Sequence, residues 1–326
     1  MTPNNLDAVR LAAAGMVLYG HSFVFLGQRE PLFLSWLPLG PLGVFIFFTI
    51  SGYLVSESWG RDPHLLQFFQ RRMLRILPGL VVCMLLSVLV LGPLLTTLPL
   101  NGYFTHQHTW GYLHYIALHI VYYLPGVFAH NRVANAVNGS IWSLPVEFLL
   151  YIVVAITGVL HGNRWLTAAL AVASAATYLL WAQVSQEMVV VYNSDLRQVF
   201  ICGTYFWVGA CFFKFDLKRH LTLSNAMLAM FAMLCLESWT RQLAIASWVL
   251  LPIVVLAFGF AYSPMLARLT GSGDYSYGIY IYAFPIQQTV VYLWPEMGIG
   301  PYLLVCTAGT LVFAVLSWHL VERRAL

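Results

Sequence analysis

Ten apolar runs follow one another along this chain, at residues 6–26, 42–58, 76–98, 142–160, 165–184, 198–213, 221–236, 244–262, 275–294 and 300–320. About 20 apolar residues suffice to cross a bilayer as a helix, and a helix satisfies its own backbone hydrogen bonds in hydrocarbon. Only 9% of the residues are charged, against about 25% in soluble domains, and the mean hydropathy is +0.77. The expected fold is therefore all-α: a polytopic membrane helix bundle of about ten transmembrane helices, forming a single domain over residues 1–326. No soluble appended domain, low-complexity tract or strong internal repeat is visible.

The cations set the expected topology. With 110–128 outside the spans and the N-terminus cytoplasmic, Arg10, Arg61, Arg71, Arg72, Arg75, Arg164, Lys214, Lys218, Arg219, Arg268, Arg323 and Arg324 lie inside, twelve in all. Arg29, Arg132, Arg197 and Arg241 lie outside, which is four. If 110–128 spanned, the division would be eight against eight. Lys and Arg accumulate on the cytoplasmic side, so ten spans with both termini cytoplasmic is the expected arrangement. Residues 99–141 then form a long extracytoplasmic or re-entrant loop. The first run has no clean cleavage site and is expected to stay as a signal anchor. The five cysteines fall in apolar runs without CxxC spacing and read as small core side chains. The net charge of +4 follows from the loops and implies no nucleic-acid partner.

Ionisable groups inside spans are costly and are functional-site candidates by default. Arg10 and His21 share the first run. Eleven residues are close to three helical turns, so both face one way, with a rise of roughly 16 Å between them. Imidazole exchanges a proton near neutral pH. Glu147 follows Pro145 by two residues and lies about one turn inside the fourth run, where a carboxylate needs a partner or takes up a proton. It could orient His21, act as a base on a hydroxyl, or hold two helices together by pairing with an arginine. Arg72 and Arg75, at i and i+3, share a helical face that suits phosphate oxygens, although cytoplasmic loops are arginine-rich for topology alone. Ser51-Gly52 breaks the second run with small residues, either for close helix packing or for a narrow substrate path. The loop 99–141 holds five histidines and many aromatics but no acid or cysteine to complete a metal site, so no metal is expected. His319 and Glu322 read as membrane-interface residues.

Four motifs occur in order: Arg10-x10-His21; Phe-Phe-x-x-Ser-Gly-Tyr-Leu ending at Leu54, followed by Arg72-x-x-Arg75-Ile-x-Pro78; Ser-Ile-Trp-Ser-Leu-x-x-Glu ending at Glu147; and Ser-Tyr-Gly-Ile-Tyr-Ile-Tyr-x-Phe-Pro ending at Pro285. In this order they resemble the acyltransferase-3 family of integral membrane O-acyltransferases, across essentially the whole chain. Two positions depart from that family. Ala283 stands where many members have a histidine, and Glu322 is followed by Arg323 and Arg324 where many have Glu-x-Pro.

The resemblance implies transfer of an acetyl or other acyl group from cytoplasmic acetyl-CoA to a hydroxyl of an extracytoplasmic carbohydrate, which can be lipid-linked. His21 and Glu147 are the expected catalytic residues. Arg10, Arg72 and Arg75 are expected to contact CoA, and Ser51, Trp142 and Ser143 the substrate. Acetyl-CoA is a co-substrate, and no cofactor is expected to stay bound. The expected location is a bacterial inner or plasma membrane. His21 would either carry the acyl group or deprotonate the acceptor; both routes need neutral imidazole, so activity should fall as it protonates in acid. Two other readings fit the residues: a transporter or flippase for a lipid-linked sugar, and a same-family acyltransferase acting on a small molecule such as an antibiotic.

Overall fold

The computed structural model describes residues 4–182, 184, 189–192 and 194–326. Residue 183, near the end of the fifth expected span, lies outside the described residues. Among the described residues, eight helices are long and apolar enough to cross a membrane: α1 Leu6–Phe25, α2 Leu39–Arg61, α3 Leu65–Leu95, α4 Ser140–Val159, α5 Arg164–Ala182, α6 Leu196–Lys214, α8 Thr240–Phe260 and α10 Ile299–Ala325. The two remaining expected spans are also helical, as α7 Leu223–Cys235 and α9 Ser276–Leu293. Strand among the described residues is confined to two pairs of two-residue segments. The protein is thus a polytopic helical membrane protein.

The two exceptions have different causes. Helix α7 is 13 residues long, a rise of about 20 Å, which is short of a bilayer core of roughly 30 Å. Helix α9 has 18 residues but includes Ser276, four tyrosines, Gln287 and Gln288. Thirteen of its residues are buried within the protein, so its polarity is answered by neighbouring helices rather than by lipid. Three of the five cysteines (Cys83, Cys202 and Cys306) are buried as small core residues should be, whereas Cys235 is exposed on α7.

Contacts gather the chain into two compact units: residues 1–13, 32–69 and 146–274 in the first, and 14–31, 70–145 and 275–326 in the second. In the first unit α2 and α6 run side by side in the same direction. Gly52 faces the Phe206 carbonyl, where a Cβ would come within 1.9 Å, and Gly209 faces the Thr49 carbonyl at 2.2 Å. Small residues let these backbones touch. Phe45 stacks on Tyr205 at 4.4 Å, and Tyr205 reaches Ser247 of α8 at 2.8 Å.

The second unit contains the 99–141 segment, which is built into the fold. Its short helices Leu100–Thr105 and Gln107–Gly111 bring in Tyr103, which is fully buried with Tyr112 and Tyr115. The wide helical turn at Ser87–Leu91 of α3 leaves the Val88 carbonyl to accept from the Tyr103 hydroxyl at 2.9 Å. Gly92 makes room, since a Cβ there would lie 1.9 Å from that hydroxyl. His106, one of the five histidines of this segment, caps the second short helix by accepting from the His108 N–H.

A branched side chain at Gly52 has to push α2 off α6. Gly52→Val is expected to destabilise the protein by about 1–3 kcal/mol or more, read as a lowered melting temperature of the purified protein; an unchanged melting temperature would refute the close contact.

Candidate active site

Helix α1 is unbroken, so the eleven-residue spacing of Arg10 and His21 is a helical spacing as expected. The Arg10 guanidinium lies in the first unit, 3.6 Å from Asp7 and 3.6 Å from Asp274. Asp274 is buried and precedes α9. A cation within a span thus has two carboxylates beside it, one from its own helix and one distant in sequence.

His21 belongs to the second unit. Its ring meets Phe284 edge-on at 5.6 Å and Phe25 at 6.3 Å. Its Nδ1 is inaccessible and makes no hydrogen bond among the described residues. The turn that carries it is fixed by α9: the Gln287 amide donates to the Leu18 carbonyl and to the Ser22 hydroxyl, each at 2.7 Å. Ser22 in turn donates to the Leu18 carbonyl at 2.8 Å. Phe284 and Gln287 stand at i and i+3, so one face of α9 sets both the position of α1 and one wall of the imidazole. Gly139 lets Phe284 sit there, since a Cβ would come within 2.6 Å of its ring.

Glu147 lies in the first unit and is held by hydroxyls rather than by a guanidinium. Ser51 of α2 donates to Oε1 at 2.6 Å, and Tyr151, one turn further along α4, donates to the same oxygen at 2.5 Å. Ser51 was expected to meet substrate; its hydroxyl is directed at Glu147, while the close approach expected of the small pair belongs to Gly52. In the second unit Ser143 lies 2.6 Å from the Tyr280 hydroxyl. Tyr280 donates to the Ser140 carbonyl, so the single remaining proton is that of Ser143, which donates to Tyr280. Trp142 is half-buried in the turn before it.

Arg72 and Arg75 are half-buried on α3. Arg75 stands within electrostatic range of Tyr277, whose hydroxyl donates to the Ile76 carbonyl at 2.7 Å. A Cβ on Gly79 would lie 3.0 Å from the Tyr277 ring and 3.4 Å from Glu322. Glu322 is buried and accepts from Ser317 at 2.6 Å. It is therefore packed inside the second unit, beside the arginine-bearing helix, and not spread on a membrane surface. Sequence reasoning missed Gln287 and this setting of Glu322. Each is polar within an apolar run or at its edge, which is the signal that could have found them.

The family model described as an acyltransferase domain matches residues 4–319. The chain belongs to that acyltransferase family. It is 31% identical over 331 residues to a protein named O-acetyl transferase from Shigella phage Sf6, covering 99% of this chain and 96% of that one. It is 29% identical over 361 residues to Nodulation protein 10 of Rhizobium leguminosarum bv. viciae, covering 99% and 93%. No solved structure matches. The enzyme is thus a membrane acyltransferase, requiring an acyl donor and an acceptor.

Ser51→Ala and Tyr151→Phe each remove one hydrogen bond to the Glu147 carboxyl group, a loss of about 1.5–3 kcal/mol where that group is charged. Both variants are expected to melt earlier. The double variant should lose less than the sum, because a carboxyl stripped of both donors can take up a proton instead. Full additivity in thermal unfolding would refute the shared acceptor.

Proposed function

We propose that the acyltransferase moves an acetyl group from cytoplasmic acetyl-CoA to a hydroxyl of an extracytoplasmic carbohydrate. The observation that carries this reading is the unbroken α1, with Arg10 and His21 three turns apart, in a chain matched to the acyltransferase family over nearly its whole length. Both termini are cytoplasmic in this reading, which puts Arg10, Arg72 and Arg75 on the donor side and His21 beyond the midplane. The location is a bacterial inner or plasma membrane.

The arginines bind the phosphates of CoA, since guanidinium forks match paired oxygens. With Nδ1 walled off by α1 and the phenylalanines, Nε2 is the nitrogen of His21 that reacts. Two routes balance. In one, Nε2 attacks the thioester carbonyl, the C–S bond breaks and CoA leaves as the thiolate; the acceptor oxygen then takes the acetyl group from the ring, its proton passing to a base while the thiolate is protonated from solvent. In the other, the acceptor hydroxyl gives its proton to Nε2 or to a carboxylate as its oxygen forms the ester, the C–S bond breaks, and the CoA sulfur departs with a proton. Glu147 suits the base: Ser51 and Tyr151 both hold Oε1 while the carboxylate is only half-buried, so Oε2 can take the acceptor proton. Trp142 and Ser143 form part of the acceptor path beside Tyr280.

The closing experiment compares acetyl transfer in membranes holding wild type, His21→Ala, Glu147→Gln, and Arg72→Ala with Arg75→Ala. Loss of a group that takes or gives the proton costs about 10²–10⁴ in rate, the drop expected for His21→Ala and Glu147→Gln. Glu147→Gln keeps an acceptor for Ser51 and Tyr151, so it should remain folded. Removing the arginines should raise the KM for acetyl-CoA by roughly tenfold or more, the effect of lost charged hydrogen bonds. Acid quenching with labelled acetyl-CoA and no acceptor separates the routes, since only the first leaves label on the protein. Normal transfer by correctly inserted His21→Ala protein would remove His21 from the mechanism. Sugar movement without acetyl-CoA dependence would replace transfer by transport.

A further inference from the structure

A cavity of about 530 Å³ opens in the first unit where α2, α6 and α8 begin and α5 ends. That volume lies within the roughly 300–1,000 Å³ of small-molecule sites. Five aromatic rings line it: Trp36, Phe45, Tyr178, Tyr205 and Trp248. Four of them hold one another, because Phe45 stacks on Tyr205 at 4.4 Å and Tyr178 meets Trp248 edge-on at 6.2 Å. The Tyr205 hydroxyl is already committed to Ser247, so Tyr205 contributes its ring to the wall. Polar groups stand among the rings, with Gln198 half-buried and Arg241 exposed. The indole Nε1 of Trp36 is buried and has no hydrogen-bond partner among the described residues. A buried donor left unmet is rare in native proteins, and the residue that carries it is one of those lining the cavity.

The charges of the first unit orient the cavity. Arg61, Arg164, Lys214, Lys218 and Arg219 lie at the opposite ends of its helices, and only Arg197 and Arg241 lie near the cavity. Arg197 is held by Asp195 at 2.7 Å. By the bias of basic residues towards the cytoplasm, the cavity faces outward.

We infer that this cavity binds a sugar ring of the carbohydrate acceptor, with its C–H faces against Trp36 and Trp248 and its hydroxyls on the Trp36 N–H, Gln198 and Arg241. Aromatic side chains pair a broad apolar face with a polar handle, which matches the two chemistries of a pyranose. A lipid chain would fill the space but would leave the indole N–H, the amide and the guanidinium without acceptors. Ser51, which holds Glu147, is six residues beyond Phe45 on the same helix, a rise of about 9 Å. The assignment rests on the proposed transfer to an extracytoplasmic carbohydrate and adds where that carbohydrate is held.

The test uses the full chain in lipid nanodiscs, with methyl hexopyranosides and hexose disaccharides as probes and ligand-detected NMR as the readout. Trp36→Phe keeps a ring and removes the N–H; Gln198→Ala removes the amide. Each is expected to weaken saccharide binding about fivefold, the consequence of one lost neutral hydrogen bond, with the melting temperature unchanged. Saccharide binding of equal strength in wild type and both variants overturns the site, as does binding of alkyl chains but of no saccharide in the panel. Acetyl-CoA-dependent transfer is measured on the same preparations. Transfer that persists while the variants bind saccharide like wild type refutes only the cavity. Cavity binding without any acetyl transfer refutes the proposed activity and leaves the sugar site standing.

Discussion

A carboxylate inside a membrane protein is stable only where donors reach it, and Glu147 is reached by two hydroxyls on one oxygen. That requirement ties α2 to α4, because Ser51 has to stand within hydrogen-bond distance of Oε1. It also explains why the small pair within the unbroken α2 contains a serine as well as a glycine. Gly52 brings α2 onto α6, and Ser51, one residue earlier, points to α4. The same demand recurs at Arg10, where Asp274 arrives from beyond α8 to meet a cation in α1, and at Glu322, which receives the Ser317 hydroxyl. Charge in hydrocarbon costs several kcal/mol when unanswered, so these contacts constrain the helix arrangement as strongly as apolar packing does.

Much of this fold is legible in hydropathy alone. Each expected span is a helix because backbone polar groups have no other partner in lipid, and that argument needs no knowledge of side-chain neighbours. Hydropathy fails where protein replaces lipid as the solvent. Helix α9, one of the expected spans, is polar for a helix in lipid, and thirteen of its residues are buried in the protein. The 99–141 segment is equally opaque: its aromatics read as an interfacial loop, but Tyr103 is fixed by a carbonyl that a wide turn of α3 leaves free. No pattern in the sequence announces that turn.

The candidate site was legible by residue type and much less by role. Arg10, His21 and Glu147 stand out because ionisable groups within apolar runs are rare, and Arg72 and Arg75 because they share a helical face next to such a run. Their partners do not stand out. Gln287 secures the turn carrying His21 from 266 positions away in the chain, and its amide is one of many polar groups in α9. Ser51 was visible as a small residue, which is why packing or a substrate path came to mind before hydrogen bonding. Glu322 looked like an interfacial acid because it lies at a helix end among arginines, yet its carboxylate is buried against Gly79 and Tyr277.

These partners bear on how chemistry can be reversible at the site and still fixed in place. Gln287 donates both its bonds from one amide nitrogen to α1, so the backbone beneath His21 is held without use of the imidazole itself. Glu147 is held through Oε1 alone. In the proposed mechanism the restraint thus falls on one part of each site while another part stays available for a proton or an acyl carbon. Preorganisation of this kind lowers the reorganisation needed during transfer, because the supporting hydrogen bonds persist while the reacting atoms change partners. A group anchored through its reacting atom would have to break that bond first. In that mechanism the family motifs carry the reacting groups, and the hydrogen bonds to Glu147 Oε1 and to the α1 backbone leave an atom of each outside the restraint.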